Sequence, residues 1–155
     1  VEAEKKIRSI NYPYEVTIDD IYDVIRSECN ISVETAKYIK ELEIHEEFED
    51  CIISDNELLI FYNNIYSCGI KIIFVSDMYL PKEIIKKILN KNGIYNYSCI
   101  YLSNQSKYTK KSGLLFRYVL QQEKVEPTKI MHIGDNPLGD YLRAKQYGIK
   151  AVLWK

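Results

Sequence analysis

The chain has 155 residues, of which 46% are apolar and 28% are charged. This balance is that of a soluble globular protein, and the length suffices for one domain that buries roughly 70% of its unfolded surface. A net charge of −1 argues against nucleic-acid partners, and no apolar run approaches the ~18 residues that span a bilayer. The four cysteines are widely spaced, which favours reduced thiols in a cytoplasmic protein over a disulfide framework.

The first part of the chain, residues 1–68, predicts helices. Three helices begin at residues that commonly cap them, namely Thr17, Ser32 and either Ser54 or Asp55. Apolar residues at helical spacing follow each of these starts. We therefore expect a helical segment that precedes the rest of the fold.

The remaining part, residues 69–155, alternates strands and helices. Short apolar runs predict strands over residues 70–75, 99–102, 129–133 and 151–154. The helices between them begin at Pro81, Ser112 and Pro137. Strand–helix alternation with short links predicts an α/β fold, with a parallel sheet covered by helices on both faces.

Polar side chains follow these predicted strands or begin the next helix. They are Ser76, Asp77, Ser103, Asn104, Lys110, Lys111 and Asp135, the last of which follows Gly134. Ligands of such sheets bind at the carboxyl ends of the strands. A hydroxyl and an ammonium suit a phosphate group, and carboxylates such as Asp135 and Asp140 suit Mg²⁺. Gly134 would let the backbone approach closely. His132 lies within a strand and is predicted to be a core histidine.

Three of these segments resemble motifs of the haloacid dehalogenase (HAD) superfamily. Ser76 after "IIFV", Lys111 at a helix start and "GDNPLGD" (134–140) are similar to its second, third and fourth motifs. "VSDMYLP", "KSGLLF" and "HIGDNPLGD" look like HAD-type hydrolases associated with glycosyltransferases in bacterial surface-polysaccharide clusters. "YEVTIDDIYDVI" and "ELEIHEEFED" look like the helical cap of that branch.

The resemblance implies a HAD-like Rossmannoid core over residues 69–155, preceded by a helical cap over residues 1–68. It also implies Mg²⁺-dependent hydrolysis of a phosphate monoester through an aspartyl phosphate, a form of nucleophilic catalysis. The implied substrate is a small phosphorylated molecule such as a sugar phosphate. Fusion to a glycosyltransferase, or association with one, is the implied partnership.

Each motif assigns a role to one residue of this chain. The resemblance implies that Ser76 binds phosphate and that Lys111 stabilises the phosphoaspartate and the charge of the transition state. Asp135 becomes a Mg²⁺ ligand, and Asp140 supports the metal site or the lysine. Lys110 is the alternative for the lysine.

The first HAD motif, an apolar strand that ends in the nucleophilic aspartate, has no convincing match. "DIYDV" (20–24) fits D-x-Y-x-V, but an acid and a predicted helix cap precede Asp20 where the strand should be. We therefore expect the nucleophile and the central first strand to lie upstream of Val1, and this chain alone to be an inactive fragment. Its remaining strands would be rearranged or would borrow a strand.

Two other interpretations remain. "DMYLP" (77–81) fits the D-x-x-[ML]-P pattern of response-regulator receivers, which predicts a signalling module phosphorylated at Asp77. Against it, the acidic pair Asp19–Asp20 does not end a predicted strand. The second alternative is a HAD-like module without catalysis that serves for binding within a glycosyltransferase.

Overall fold

The protein is described by a computed structural model that covers residues 2–52 and 55–154. Ser54, one of the two predicted starts of the third capped helix, lies outside the described residues. The helices of the first half are α1 (Glu2–Asn11), α2 (Ile18–Cys29), α3 (Val33–Asp50) and α4 (Asn56–Ser67). In the part of the chain that the structure describes, no helix is both long and apolar enough to cross a membrane.

Strands and helices alternate in the second half. The elements are β1 (Ile73–Ser76), α5 (Lys82–Lys91), β2 (Cys99–Leu102), α6 (Ser103–Ser106), α7 (Leu114–Glu123), a 3₁₀ helix (Pro127–Lys129), β3 (Met131–Gly134), a π-helix (Pro137–Arg143), α8 (Ala144–Gln146) and β4 (Lys150–Leu153). This alternation confirms the predicted α/β fold class.

Short polar side chains begin the first-half helices, as predicted. The Thr17 hydroxyl accepts the backbone N–H of Asp20 at 3.2 Å, and the Asp20 carboxylate accepts that of Thr17 at 2.7 Å. The two residues thus form a reciprocal capping box. Ser32 and Asp55 each accept a backbone N–H from the first turn of their helix. Asp20 therefore lies in the first turn of α2 and not at the end of a strand.

Two later helices differ in detail from the prediction. Gly113, not Ser112, is the residue that precedes α7, and its φ of +82° suits glycine. The Ser112 hydroxyl instead accepts the N–H of Leu114 at 3.3 Å, inside the turn. The predicted helix at Pro137 begins as a π-helix before it continues as α8.

The strands pair in two short sheets. β1 lies beside β2 in one sheet, and β3 lies beside β4 in the other. β3 and β4 run parallel, with His132 opposite Ala151 and Gly134 opposite Leu153. This pairing differs from the single continuous sheet that strand–helix alternation predicts.

The described residues divide into two compact units. Unit 1 comprises residues 2–7, 17–52, 55–75 and 80–101, and unit 2 comprises residues 8–16, 76–79 and 102–154. The final residues of β1 and β2, Ser76 and Leu102, belong to unit 2 together with β3 and β4. All predicted site residues therefore lie in unit 2. The predicted boundary between residues 68 and 69 stays a prediction.

Each unit has its own apolar packing. In unit 1 the Phe74 ring of β1 contacts Tyr62 and Tyr97, with ring centroids 6.4 and 5.5 Å away. In unit 2 the buried cluster is Phe116, Ala144 and Ile149, surrounded by Leu120, Ile130, Tyr147 and Ala151. This second cluster packs α7 and α8 against the β3–β4 pair, which fixes the loop after β3 where the candidate site lies.

Candidate active site

The chain reverses after β3 so that Asp140 packs against Gly134. The Asn136 side-chain oxygen accepts the backbone N–H groups of Leu138 at 3.0 Å and Gly139 at 2.8 Å, and so begins the π-helix. The Asn136 N–H itself is donated to Asp140 Oδ2 at 3.0 Å. A Cβ atom on Gly134 would lie 2.5 Å from the carboxyl carbon of Asp140, so this approach requires glycine. The predicted role of Gly134 is confirmed.

Asp140 is a buried carboxylate, 1% exposed, that accepts hydrogen bonds from two cationic or polar side chains. The ammonium of Lys110 lies 2.5 Å from Oδ1, and Nε2 of His132 lies 2.8 Å from the same oxygen. Burial opposes ionisation, but the hydrogen bonds from His132 and Lys110 hold the pKa of Asp140 well below its ordinary value. Asp140 is therefore ionised at neutral pH, and both of its oxygens already accept protein donors.

His132 has a role that the sequence did not reveal. An ionised carboxylate can only accept, so Nε2 of His132 carries the proton that faces Asp140. The imidazole also packs against the Phe116 ring at an interplanar angle of 74°, with centroids 4.9 Å apart. The predicted core histidine is thus also a hydrogen-bond donor to the site. The sequence did contain one signal for this role. Residues two apart in a strand point to the same face, so His132 lies on the face of β3 that also carries Gly134.

Asp77 joins the end of β1 to the two lysines. Its Oδ1 accepts the backbone N–H of Lys110 at 2.6 Å, and its Oδ2 faces that of Lys111 at 3.3 Å. Burial raises the pKa of Asp77, and the bonds to these N–H groups oppose that effect. Ser76 therefore immediately precedes an anchored carboxylate. This anchoring role differs from that of an exposed phosphoacceptor in a receiver.

The two lysines differ in what their side chains do. The Lys110 side chain is 15% exposed and reaches Asp140. Lys111 is exposed and contributes its backbone, since its carbonyl accepts Nε of Arg143 at 2.9 Å. The structure thus brings Lys110, the alternative in the sequence analysis, into contact with Asp140.

Ser76 and Asp135 occupy the predicted strand ends. Ser76 is half-buried at the end of β1, and Asp135 is exposed directly after β3. Within residues 2–52 and 55–154, no three His, Cys, Asp or Glu side chains come together as a metal site. Mg²⁺ usually takes only one or two carboxylates, with waters and substrate phosphate as its other ligands. The exposed Asp135 fits one such ligand, whereas the oxygens of Asp140 are engaged by protein donors.

A cavity of about 470 Å³ lies elsewhere, within unit 1. Its lining includes Ile72 and Ser98, which directly precede β1 and β2. In α/β folds, ligands bind at the carboxyl ends of strands. This cavity lies at the amino ends of β1 and β2, so it does not fit the phosphate site that the sequence predicts.

Solved structures that share this fold are hydrolases of the HAD superfamily. YfnB from Bacillus subtilis, assigned as a HAD-hydrolase and bound to magnesium, matches with a TM-score of 0.67 and 14% identity over 98% of this chain. A 2-haloacid dehalogenase from Pseudomonas syringae matches with a TM-score of 0.67 and 12% identity over 99% of this chain. A HAD phosphatase from Thermococcus onnurineus matches with a TM-score of 0.51 and 18% identity over 99% of this chain.

These likenesses establish a HAD-like fold and nothing finer. This chain spans 72% of the YfnB chain, 66% of the Pseudomonas dehalogenase and 80% of the Thermococcus phosphatase. No protein-family model matches the sequence. The comparison with curated proteins finds no significant match.

Proposed function

We propose that unit 2 is the phosphate-binding part of a Mg²⁺-dependent HAD-type phosphohydrolase. One observation carries the proposal: the Lys110 ammonium is held by buried Asp140, while the Lys110 backbone is bonded to the residue that follows Ser76. The Lys110 ammonium and the Asp77 carboxylate, which directly follows Ser76, thus belong to one hydrogen-bonded network near the ends of β1 and β3. A lysine ammonium and a serine hydroxyl are groups that suit the binding of a phosphate monoester.

Each residue of the network has a role in this proposal. The Ser76 hydroxyl donates to a phosphate oxygen, and Lys110, oriented by Asp140, neutralises phosphate charge. We prefer Lys110 to Lys111 because its ammonium is held in place and less exposed. Asp135 is one carboxylate ligand for magnesium, which when bound would offset charge on the phosphoryl oxygens.

The two aspartates that the sequence patterns suggested as sites of phosphoryl transfer, Asp20 and Asp77, do not fit the role of the nucleophile. The Asp20 carboxylate is bonded to the backbone and hydroxyl of Thr17, and that of Asp77 is bonded to backbone N–H groups. We propose that the aspartate comes from a strand outside these 155 residues. The short two-stranded sheets support this, because such sheets leave backbone edges on which a further strand can pair.

The substrate and the setting follow from the resemblance alone and stay proposals. They are a small phosphorylated substrate such as a sugar phosphate, a cytoplasmic location, and association with a glycosyltransferase in surface-polysaccharide synthesis. A binding module without catalysis is the second candidate. The engaged carboxylates of Asp20 and Asp77 favour it, and phosphate binding without turnover in the whole polypeptide would support it.

Calorimetric titration with inorganic phosphate and Mg²⁺ tests the proposed site. Ser76→Ala should weaken binding about tenfold, because one hydrogen bond to a charged oxygen is lost. Ser67→Ala is the matched control, since the Ser67 hydroxyl is exposed on α4 and donates to its own helix. Equal affinity of Ser76→Ala and Ser67→Ala would contradict the role of Ser76.

A further inference from the structure

Unit 2 contains a buried carboxylate that the proposed chemistry does not use. The Glu15 side chain is fully buried. Its Oε1 accepts Nη1 of Arg8 at 2.5 Å and the backbone N–H of Val16 at 2.9 Å, and its Oε2 accepts the hydroxyl of Ser103 at 2.8 Å. A buried carboxylate is tolerated only when such donors replace water. Glu15 is therefore a fixed acceptor inside the unit.

Ser103 extends this hydrogen bonding to the turn after β1. Its side chain is fully buried at the start of α6, and its oxygen accepts the backbone N–H of Met78 at 2.8 Å. A carboxylate can only accept, so the Ser103 proton points at Glu15 and the oxygen lone pairs face Met78. The chain of bonds runs from the Met78 N–H through the Ser103 hydroxyl to Glu15, and bonds in such chains strengthen one another.

The residues beside Met78 are anchored as well. Asp77 accepts the backbone N–H of Lys110, and the Tyr79 carbonyl accepts the side-chain amide of Asn104 at 3.1 Å. Three successive residues of the turn are thus held by α6 and by the segment that carries the lysines. Met78 is the middle residue of the three. The Ser103 hydroxyl that holds its N–H, and the Glu15 carboxylate behind that hydroxyl, are both buried.

We propose that Glu15 and Ser103 are positioning residues for the phosphate-binding turn. They fix the backbone at Met78, and through it the places of Ser76 and of the Asp77 carboxylate that holds Lys110. The segment 8–16 thereby becomes part of the support of the site. The consequence for phosphate affinity rests on the function proposed above, whereas the consequence for the turn does not.

Amide resonances test the positioning role directly. Ser103→Ala removes the acceptor, so the Met78 amide should exchange with water about tenfold faster or more. The Lys110 amide, which Ser103 does not contact, should lose the downfield shift that its bond to Asp77 produces. Ser103→Thr keeps the hydroxyl and should restore both signals. Ser106→Ala is the control, because the Ser106 hydroxyl bonds backbone atoms of Leu102, just before α6, and of Tyr108, just after it.

An unchanged Lys110 amide in folded Ser103→Ala would overturn the proposal. Glu15→Gln provides the same decision if Ser103→Ala does not fold. Glu15→Gln keeps the shape of the side chain and one acceptor oxygen but removes the negative charge. The Met78 amide resonance should therefore shift in the same direction as in Ser103→Ala, but by a smaller amount. An unmoved Met78 amide in Glu15→Gln would overturn the proposal as well.

Titration with inorganic phosphate separates this proposal from the proposed function. Ser103→Ala should bind phosphate about fivefold more weakly, and Ser103→Thr should bind with wild-type affinity. If wild-type protein binds no phosphate, the proposed function fails while the amide signals still decide the positioning role. If wild type binds and Ser103→Ala binds equally well, the positioning role is wrong.

Discussion

Gly134 decides whether Asp140 can reach its partners. Gly134→Ala would place a methyl group 2.5 Å from the Asp140 carboxyl carbon and displace a side chain that is held by Lys110 and His132. We expect a loss of about 2–3 kcal/mol in the free energy of unfolding, measured by urea denaturation. Gly139→Ala, in the π-helix that follows, is the control, because the nearest atoms to its Cβ lie at 3.6 Å. Similar losses in both variants would contradict this account.

The ionised state of Asp140 predicts how stability depends on pH. Its lowered pKa means that the contribution of Asp140 is present above the ordinary carboxyl pKa of about 4 and is lost as the pH falls below it. The raised pKa of Asp77 acts in the opposite sense, because its contribution declines as the pH rises through the folded-state value. We expect the Asp140 effect to appear as a fall in the free energy of unfolding that begins at about pH 5 and steepens below about pH 4, toward the lowered folded-state pKa.

Asp140→Asn isolates this contribution. The variant should lose about 3 kcal/mol near neutral pH, because the Lys110 ammonium is left without its anion, and it should flatten the decline toward acid. Urea denaturation at several pH values, on wild type and variant, measures both effects. An acid decline as steep in the variant as in wild type would assign the pH dependence to other groups.

At the level of single residues, the sequence predicted the positions of the polar site residues better than it predicted which residues they bond to. It placed Ser76 and Asp135 at or directly after strand ends and Asp140 in the helix that begins at Pro137, where the structure has them. It favoured Lys111 and kept Lys110 as the alternative, because local sequence does not show which ammonium meets a carboxylate 30 residues away, and in the structure that ammonium is the one of Lys110. The same holds for Glu15 and Ser103, which are 88 residues apart. Local patterns carry no information about such pairings.

Helix α2 offers a test at the level of elements. Asp20→Asn weakens the capping box with Thr17, so we expect a loss of about 1 kcal/mol in the free energy of unfolding. Affinity for inorganic phosphate should not change, because Asp20 serves the helix and not the site. Thr17→Ala is a matched variant that should give a similar loss. Loss of phosphate binding in Asp20→Asn alone would contradict this assignment.

Element boundaries show where local sequence information ends. The helix caps at Thr17, Ser32 and Asp55 were predicted because capping is settled within one turn. Strand limits were predicted less well: the run 70–75 became Ile73–Ser76, although Cys99–Leu102 matched the prediction. Pairing with a neighbouring strand decides where a strand begins, and an apolar run extends beyond the paired residues.

At the level of the whole molecule, we expect phosphate binding without turnover. Purified protein should show negligible Mg²⁺-dependent hydrolysis of an aryl phosphate, because the carboxylates of Asp20 and Asp77 are engaged elsewhere. Release of the phenol, followed by absorbance, measures the rate. Hydrolysis that Asp20→Asn abolishes would make Asp20 the nucleophile. Hydrolysis lost in Asp135→Asn but kept in Asp20→Asn would indicate a different nucleophile within this chain.

In the proposed site, Lys110, held by Asp140, is the cation that binds phosphate. Calorimetric titration of inorganic phosphate with Mg²⁺ into wild type, Lys110→Gln and Lys111→Gln tests it most directly, with folding checked by circular dichroism. We expect binding to wild type, affinity about tenfold weaker in Lys110→Gln, and a change of less than about twofold in Lys111→Gln. Equal affinities in wild type and folded Lys110→Gln would contradict it.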